Sequence, residues 1–240
     1  IAIVTGGASG LGRGMAKRLA AEGAKIVIFD IDKKGAAATL EDIDQGTSYE
    51  VDISNYESCE TAVAKVVKDF GQLDILVNNA GWDLAAPFMN TQPELWTKIV
   101  AINLFGPMNM HHTTIPYMLK VGRGKIINIA SIMSEVVRED NAPYAASKGA
   151  IRQLTKSLAI DWAKHKINVN GIGPGYIKTE LTQPLWEDEE FSNRILAKTP
   201  LARWGDPDDI GSVAVFLASA ASDFMTGQII YPEGGILSRF

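Results

Sequence analysis

The sequence predicts an α/β fold, a single doubly wound domain whose seven-stranded parallel sheet carries helices on both faces. Apolar runs alternate with longer helical stretches, no linker or low-complexity segment interrupts them, and 240 residues suit one large domain. The strands are expected near residues 1–4, 26–30, 48–51, 75–78, 125–130, 167–172 and 228–231. The helices are expected near residues 10–22, 33–43, 56–69, 93–120, 143–164 and 207–219. Because parallel strands end at one edge of the sheet, polar residues far apart in sequence can form one site there.

A glycine-rich turn follows the first predicted strand, where residues 5–12 read TGGASGLG. Glycines permit a tight turn and let the backbone approach a phosphate closely. The helix that follows presents free N–H groups and a positive dipole end to that phosphate. The spacing Gly-x-x-x-Gly-x-Gly differs from the usual dinucleotide fingerprint, Gly-x-Gly-x-x-Gly. The turn therefore predicts a phosphate site without identifying the nucleotide by itself.

The second predicted strand ends in a carboxylate, Asp30. An acid at this position can accept hydrogen bonds from the adenosine ribose, and it repels a 2′-phosphate. No basic residue follows directly at Ile31 and Asp32, and Ser9 stands in the turn where an arginine could meet that phosphate. We therefore expect the cofactor to be NAD rather than NADP. The alternative is that Asp30 only caps a helix or forms a turn.

An acid/base cluster is predicted from Tyr144, Lys148 and Ser131. Residues four apart share a helix face, so the Lys148 ammonium can lie beside the Tyr144 phenol. A nearby positive charge lowers a phenol pKa towards the range useful for general acid/base catalysis. The serine hydroxyl can hold the oxygen of a carbonyl or an alcohol. The alternative is an amphipathic helix with a half-buried tyrosine and a solvated lysine.

Together these motifs resemble the short-chain dehydrogenase/reductase family over essentially the whole chain. The turn at residues 5–12 resembles its cofactor loop, residues 78–81 (NNAG) resemble its motif after strand four, and Pro174-Gly175 with Thr179 resembles its nicotinamide-side loop. The resemblance implies a Rossmann-type enzyme that interconverts a secondary alcohol and a ketone, with the catalytic residues Asn103, Ser131, Tyr144 and Lys148. It implies that Asn103 positions a water and that Lys148 holds the ribose hydroxyls. The implied cofactor contacts are Gly6, Ser9, Gly10, Leu11, Gly12, Asp30, Ile31, Asp52, Ile53, Asn79, Ala80, Gly81, Tyr144, Lys148, Pro174, Gly175, Ile177 and Thr179.

Two subgroups of the family compete for the substrate. Residues 131–135, 142–144, 175–176, 189–191 and 203–205 resemble gluconate 5-dehydrogenases and related keto-deoxygluconate dehydrogenases. Residues 80–83 and 110–112 instead resemble 2-hydroxycyclohexanecarboxyl-CoA dehydrogenases. Glu135 beside Ser134 suits hydroxyls better than a hydrocarbon ring, so we expect a small polar hydroxy compound such as a sugar acid or polyol. Arg138 or Lys178 could pair with a substrate carboxylate. The residues expected around the substrate are Trp82, Asp83, Ser131, Ser134, Glu135 and Tyr176.

Other functions are less well supported. A dehydrogenase of a cyclic hydroxyacyl-CoA or a 3-oxoacyl reductase remains an alternative. A more remote one is a non-catalytic nucleotide-binding sensor, although such proteins typically lose the tyrosine or the lysine. By resemblance the segment at about 175–200 forms a substrate lid, and the chain forms a homotetramer with the helices near 93–120 and 143–164 at one interface.

Composition excludes several classes of protein. A net charge of −5 and a pI near 5.3 argue against a nucleic-acid partner, and the apolar runs are too short for a membrane span. One cysteine, Cys59, excludes an internal disulfide and indicates a cytoplasmic protein. Adjacent histidines, His111 and His112, cannot chelate a metal from one helix face, so no metal is expected. Ile1 begins inside a strand without an initiator Met, so a few residues are expected to precede it.

Overall fold

The computed structural model describes residues 1–239 and contains the expected seven-stranded parallel sheet, in the order β3-β2-β1-β4-β5-β6-β7. All six strand pairs are parallel. The strands are β1 (Ala2–Thr5), β2 (Ile26–Asp30), β3 (Gly46–Glu50), β4 (Ile75–Asn78), β5 (Gly124–Ile129), β6 (Ile167–Ile172) and β7 (Ile229–Ile230). The order reverses between β1 and β4, and ligands of doubly wound sheets bind at that switch point. The predicted fold class is confirmed.

Nine α-helices cover the sheet within residues 1–239. They are α1 (Gly10–Ala21), α2 (Lys33–Glu41), α3 (Tyr56–Phe70), α4 (Pro93–Val100), α5 (Gly106–Val121), α6 (Ala142–Trp162), α7 (Gln183–Trp186), α8 (Glu189–Lys198) and α9 (Pro207–Ala218). The helix expected over 93–120 is not uniform, because a π-helical turn, Ala101–Phe105, separates α4 from α5. The segment at about 175–200 holds α7 and α8. Over the described part of the chain, no helix is both long and apolar enough to cross a membrane.

The core lies on both faces of the sheet, which explains why the strands are continuous apolar runs rather than alternating ones. In β1, Val4 packs into a cluster with Met15 of α1 and Ile210 of α9. Its neighbour Ile3 points the other way and packs into a cluster with Val63 of α3 and Met110 of α5. These two layers fix the strand ends, and with them the rim on which the site is built.

Candidate active site

The turn between β1 and α1 is held by close backbone approaches that only glycine permits. Gly6 has a φ of +65°, and a Cβ there would lie 2.8 Å from the Cα of Ala80. A Cβ on Gly12 would collide with the carbonyl oxygen of Gly6. The Thr5 hydroxyl accepts hydrogen bonds from the backbone N–H groups of Asn79 (2.9 Å) and Ala80 (3.0 Å). The turn and the loop after β4 therefore form one rigid unit at the carboxyl edge of the sheet.

Asp30 lies at the tip of β2, directly beside this turn. Its Oδ2 accepts from the N–H of Ala8 at 2.9 Å, and its Oδ1 accepts from the N–H of Asp32 at 2.9 Å. Asp32, not Asp30, caps α2 and accepts from the N–H groups of Lys34 and Gly35. The other part of the alternative agrees with the structure, because the bond from the Asp32 N–H to the Asp30 Oδ1 forms a turn over two residues. Asp30 is thus a carboxylate fixed at the tip of β2 by two backbone N–H groups.

On the adenine side, the Ile53 side chain is buried and Asp52 lies at the rim. The Ile53 side chain is only 5% exposed and packs against Gly106 at the start of α5. Because this side chain belongs to the core, the expected contact of Ile53 with an adenine would be made by its backbone. Asp52 does lie at the rim, where its Oδ1 accepts from the N–H and hydroxyl of Ser54. Ile31 is 71% exposed at the same edge.

The loop expected on the nicotinamide side packs tightly after β6. The Pro174 carbonyl accepts from the N–H of Ile132 at 3.1 Å, which ties this loop to the end of β5. A Cβ on Gly175 would lie 2.7 Å from the Cα of Glu233, so the two segments touch. Ile177 is buried in the core, and the Thr179 side chain lies against Gly10. The loop therefore reaches across to the N-terminus of α1.

One contact at that N-terminus was not expected from the sequence. The Glu180 carboxylate accepts from the N–H of Gly10 at 3.0 Å and lies 3.7 Å from the Arg13 guanidinium. An anion at a helix N-terminus is stabilised by the free N–H groups and the helix dipole. No local motif marks Glu180, because its partner lies 170 positions earlier in the chain.

Tyr144 and Lys148 share one face of α6, as expected from their spacing. The Lys148 Nζ lies 5.6 Å from the centroid of the Tyr144 ring, and it donates to the Ile129 carbonyl at 2.7 Å. Lys148 is 5% exposed, whereas Tyr144 keeps a partly exposed surface. Ser131 stands at the end of β5 and interacts with the Tyr144 phenol. The three side chains thus form the cluster that the sequence predicted.

Asn103 joins this cluster from the π-helical turn. Its Oδ1 accepts from the N–H of Trp82 at 2.7 Å, and its Nδ2 donates to the Trp82 carbonyl at 2.8 Å and to the Ser147 Oγ at 3.2 Å. A Cβ on Gly81 would lie 3.4 Å from the Asn103 Oδ1 and 3.8 Å from the Lys148 Nζ. The amide therefore holds the loop after β4 against α6.

Burial has the largest effect on the electrostatics of the cluster. Burial raises the pKa of Tyr144 to about 12; the charge of Asp83 adds to that rise, while the Ser131 hydroxyl and the Arg138 charge oppose it. Burial also lowers the pKa of Lys148 to about 8, against a smaller opposing effect of Asp83. The Lys148 ammonium lies 5.6 Å from the centroid of the Tyr144 ring and donates to the Ile129 carbonyl. Burial disfavours the ammonium for the same reason that it disfavours the phenolate.

Three of the residues expected around the substrate lie beside this cluster or against α8. The Lys98 ammonium lies 4.3 Å from the centroid of the Trp82 ring. Asp83 accepts from the Nδ2 of Asn141 and lies 3.9 Å from the Arg138 guanidinium. Tyr176 packs edge-on against the rings of Phe191 in α8 and Trp204.

Ser134 and Glu135 are engaged within the protein. The Oε1 of Glu135 accepts from the Tyr231 hydroxyl at 2.8 Å and from the Arg152 guanidinium at 2.6 Å. The Ser134 hydroxyl lies 3.1 Å from the same tyrosine hydroxyl. The Oε1 of Glu135, which we expected to accept from substrate hydroxyls, therefore already accepts from two protein donors. Among residues 1–239 there is no group of three or more His, Cys, Asp or Glu side chains placed to hold a metal ion.

A phosphate-binding turn beside an acid/base cluster is the arrangement of a nucleotide-dependent oxidoreductase with a Rossmann fold. A family model described as enoyl-(acyl carrier protein) reductase matches residues 6–237. The chain belongs to the short-chain dehydrogenase/reductase family and acts as an oxidoreductase on CH–OH groups.

Similar proteins include enzymes of sugar-acid metabolism. The 5-keto-D-gluconate 5-reductase of Escherichia coli (strain K12) is 39% identical over 239 residues, covering 98% of this chain and 94% of the relative. The 2-dehydro-3-deoxy-D-gluconate 5-dehydrogenase of Bacillus subtilis (strain 168) is 41% identical over 242 residues, covering 99% and 94%. A crystal structure of a gluconate 5-dehydrogenase from Burkholderia cenocepacia J2315, in complex with NADP and tartrate, has a TM-score of 0.95 at 40% identity and covers 100% of this chain and 95% of that one. The resemblance to this family, and within it to the gluconate and keto-deoxygluconate dehydrogenases, is confirmed.

Proposed function

We propose that the chain is an NAD-dependent dehydrogenase that interconverts a secondary alcohol and a ketone on a small polar hydroxy compound, a sugar acid or polyol of the gluconate type. The observation that carries the proposal is the position of Lys148 one helical turn from Tyr144, with Ser131 against the phenol. This cluster adjoins the glycine-rich turn at residues 5–12 through the loop after β4, whose Ala80 lies against Gly6 and whose Gly81 lies against Asn103. The names of the similar enzymes support the sugar-acid substrate.

Each residue of the cluster has a distinct role in the proposal. The Ser131 hydroxyl holds the substrate oxygen, and Tyr144 removes its proton in oxidation or returns one in reduction. Lys148 and Asn103 hold the loop and strand ends around the phenol through their contacts with Ile129 and Trp82. A bound nicotinamide cofactor supplies the hydride acceptor or donor. The turn at residues 5–12 and Asp30 fit its dinucleotide, because they offer N–H groups for phosphate and a carboxylate for ribose.

The preference for NAD rests on Asp30. Its carboxylate is fixed by two backbone N–H groups, so it cannot easily turn away from a ribose bound at the β2 tip. A 2′-phosphate at that ribose would meet a negative charge. The similar Burkholderia enzyme is in complex with NADP, so the proposed preference of this chain for NAD depends on Asp30 alone.

A sugar-acid substrate is supported by Arg138. This guanidinium is 25% exposed, and its charge acts on the phenols of both Tyr144 and Tyr176. A cation within electrostatic reach of the reacting phenol suits the carboxylate of a sugar acid better than a neutral ring.

The test is a substrate panel of D-gluconate, uncharged polyols and cyclic alcohols with NAD and with NADP, followed by the absorbance of the reduced cofactor. We expect D-gluconate or a related sugar acid to react fastest with NAD. Tyr144→Phe should reduce turnover by at least about 100-fold, the lower range of general acid/base contributions, while NADH binding stays close to that of the wild type. Tyr49→Phe, which removes a hydroxyl bound to Asp69 far from the cluster, is the matched control. Equal rates for the wild type and Tyr144→Phe would overturn the proposal.

A further inference from the structure

The Asp83 carboxylate is held in place beside the acid/base cluster. Its two oxygens lie 3.0 and 3.1 Å from the Nδ2 of Asn141, and the Arg138 guanidinium lies 3.9 Å from Oδ2. The residue before it, Trp82, is held by Asn103 at both its backbone N–H and its backbone carbonyl. With 23% exposure, Asp83 is more than three-quarters buried. A carboxylate so constrained cannot swing away into solvent.

Asn141 links this carboxylate to the helix that carries Tyr144. It is the residue from which α6 starts, it is 1% exposed, and its carbonyl accepts from the N–H of Ala145 at 3.0 Å. Its side chain does not cap the helix; the amide Nδ2 binds Asp83 instead. Within residues 1–239 the Asn141 Oδ1 has no hydrogen-bond partner, so Asp83 alone fixes the orientation of this buried amide. A second bridge joins the same segments, from the N–H of Ala86 to the Asp140 carbonyl at 2.9 Å.

We propose that Asp83 is a positioning residue for Tyr144: it anchors the start of α6 through Asn141 and places a fixed negative charge beside the reacting phenol. This inference rests on the proposed function, in which Tyr144 carries the proton.

The charge balance at the phenol follows from the groups that face it. Asp83 comes from the loop after β4, Arg138 from the segment before α6, and Lys148 from α6 itself. Ser131 contributes an uncharged hydroxyl from the end of β5. Asp83 is the acidic group that raises the tyrosine pKa, and Arg138 is the basic group that lowers it. Burial is the larger cause of the raised pKa of Tyr144, and the Asp83 charge adds to it, so Asp83 favours the protonated phenol, which donates to a ketone, over the phenolate that alcohol oxidation requires.

The experiment compares Asp83→Asn with Asp140→Asn in the full chain. Asparagine keeps an acceptor for the Asn141 amide and removes the charge. Asp140 belongs to the same region but has a φ of +59°, a conformation that asparagine tolerates, so its variant loses the same charge without strain. The readout is the pH dependence of kcat/KM for oxidation of D-gluconate, with thermal unfolding to verify folding.

We expect the rising limb of the oxidation profile to move to lower pH by about one unit in Asp83→Asn, which is about tenfold in rate at a fixed pH on that limb. Asp140→Asn should keep the wild-type profile. Arg138→Gln should move the limb the opposite way, a result that loss of packing does not produce. A folded Asp83→Asn protein whose limb stays in place or moves to higher pH would overturn the proposal.

A second measurement covers a variant that folds but does not turn over D-gluconate. The difference in tyrosinate absorbance between Asp83→Asn and the double variant Asp83→Asn/Tyr144→Phe reports the ionisation of Tyr144 directly. We expect it to occur at lower pH than in the matching pair with Asp83 intact, and equal titrations would refute the inference. If Asp83→Asn does not fold, Asp83→Ser, which also removes the charge and keeps an oxygen acceptor for the Asn141 amide, is measured in the same way. An unaffected rate in Tyr144→Phe, by contrast, would overturn the proposed function itself, so the two failures are distinguishable.

Discussion

Replacing Asp30 by alanine should reverse much of the discrimination between NAD and NADP. The carboxylate accepts from the N–H groups of Ala8 and Asp32, both at 2.9 Å. Alanine removes the negative charge and leaves these two donors without their acceptor. Donors released at the β2 tip are then available to a 2′-phosphate. The substitution therefore removes a repulsion and creates an attraction at the same point.

The expected size follows from Coulomb's law. A carboxylate and a phosphate charge about 5 Å apart repel by about 3 kcal/mol at an effective dielectric constant of about 20. The β2 tip is close to solvent, so salt screens part of this energy. A remaining effect of about 1.4 to 2.8 kcal/mol corresponds to a 10- to 100-fold fall in the ratio of kcat/KM for NAD over NADP. The ratio should depend on ionic strength for the same reason.

The assay measures kcat/KM for NAD and for NADP with the same substrate concentrations, and thermal unfolding is measured alongside. Asp32→Ala is the matched control, because it also removes a carboxylate that accepts from two backbone N–H groups, those of Lys34 and Gly35. Both variants should lose stability, by about 2–4 °C in Tm for each kcal/mol. Only Asp30→Ala should change the cofactor ratio strongly. An unchanged ratio in Asp30→Ala, or a wild type that already prefers NADP, would refute the claim that Asp30 selects NAD.

Two further predictions concern Glu180 and His111. Glu180→Gln removes the anion held at the N-terminus of α1. The Kd for NADH, measured by fluorescence titration, should therefore fall about two- to fivefold, the range for a charge at a helix terminus. Glu187→Gln in the same segment is the control, and an unchanged Kd in Glu180→Gln contradicts the argument. Burial lowers the pKa of His111 to about 4, so its neutral form is favoured in the folded state. As the pH drops from about 6.5 to about 4, the unfolded chain takes up a proton on this histidine before the folded protein does. The free energy of unfolding should therefore fall over this range, by at most about 3 kcal/mol. Urea titrations at several pH values measure this slope, which His111→Gln should reduce and His112→Gln should retain; equal slopes in both variants would contradict it.

The sheet was predictable because each strand carries its own signal. Residues 26–30 are a continuous apolar run that ends in an acid, and the observed β2 has the same bounds, Ile26–Asp30. Strands buried on both faces need such runs, so the pattern is set by local sequence. The π-helical turn that carries Asn103 has no comparable signal. It lies inside the stretch 93–120 that the sequence predicted as one helix, and no residue type in Ala101–Phe105 distinguishes a π-helical from an α-helical turn.

The candidate site was predictable in its members and less so in their contacts. The spacing of Tyr144 and Lys148 determines that they share a helix face, and the glycines of the turn report a backbone that must approach a neighbour. The positions of Ile53 and Glu180 depend on tertiary packing instead. Ile53 is buried because α5 presents a glycine to it, and Glu180 binds the N-terminus of α1 because the loop after β6 crosses to it. Such long-range contacts leave no trace in a local motif.

The proton chemistry shows most clearly what a motif leaves open. A lysine one turn from a tyrosine suggests a lowered phenol pKa, yet burial raises the pKa of Tyr144 to about 12 and lowers that of Lys148 to about 8. Both shifts have the same physical cause, since a buried site disfavours the charged form of an acid and of a base alike. The phenol and the amine are therefore driven together towards neutrality by the packing that brings them into contact. The balance is then decided by the charges at the edge of the cluster, where Asp83 and Arg138 act in opposite directions. It follows that burial and the charges around the motif, as well as the motif itself, act on the proton affinity of this phenol.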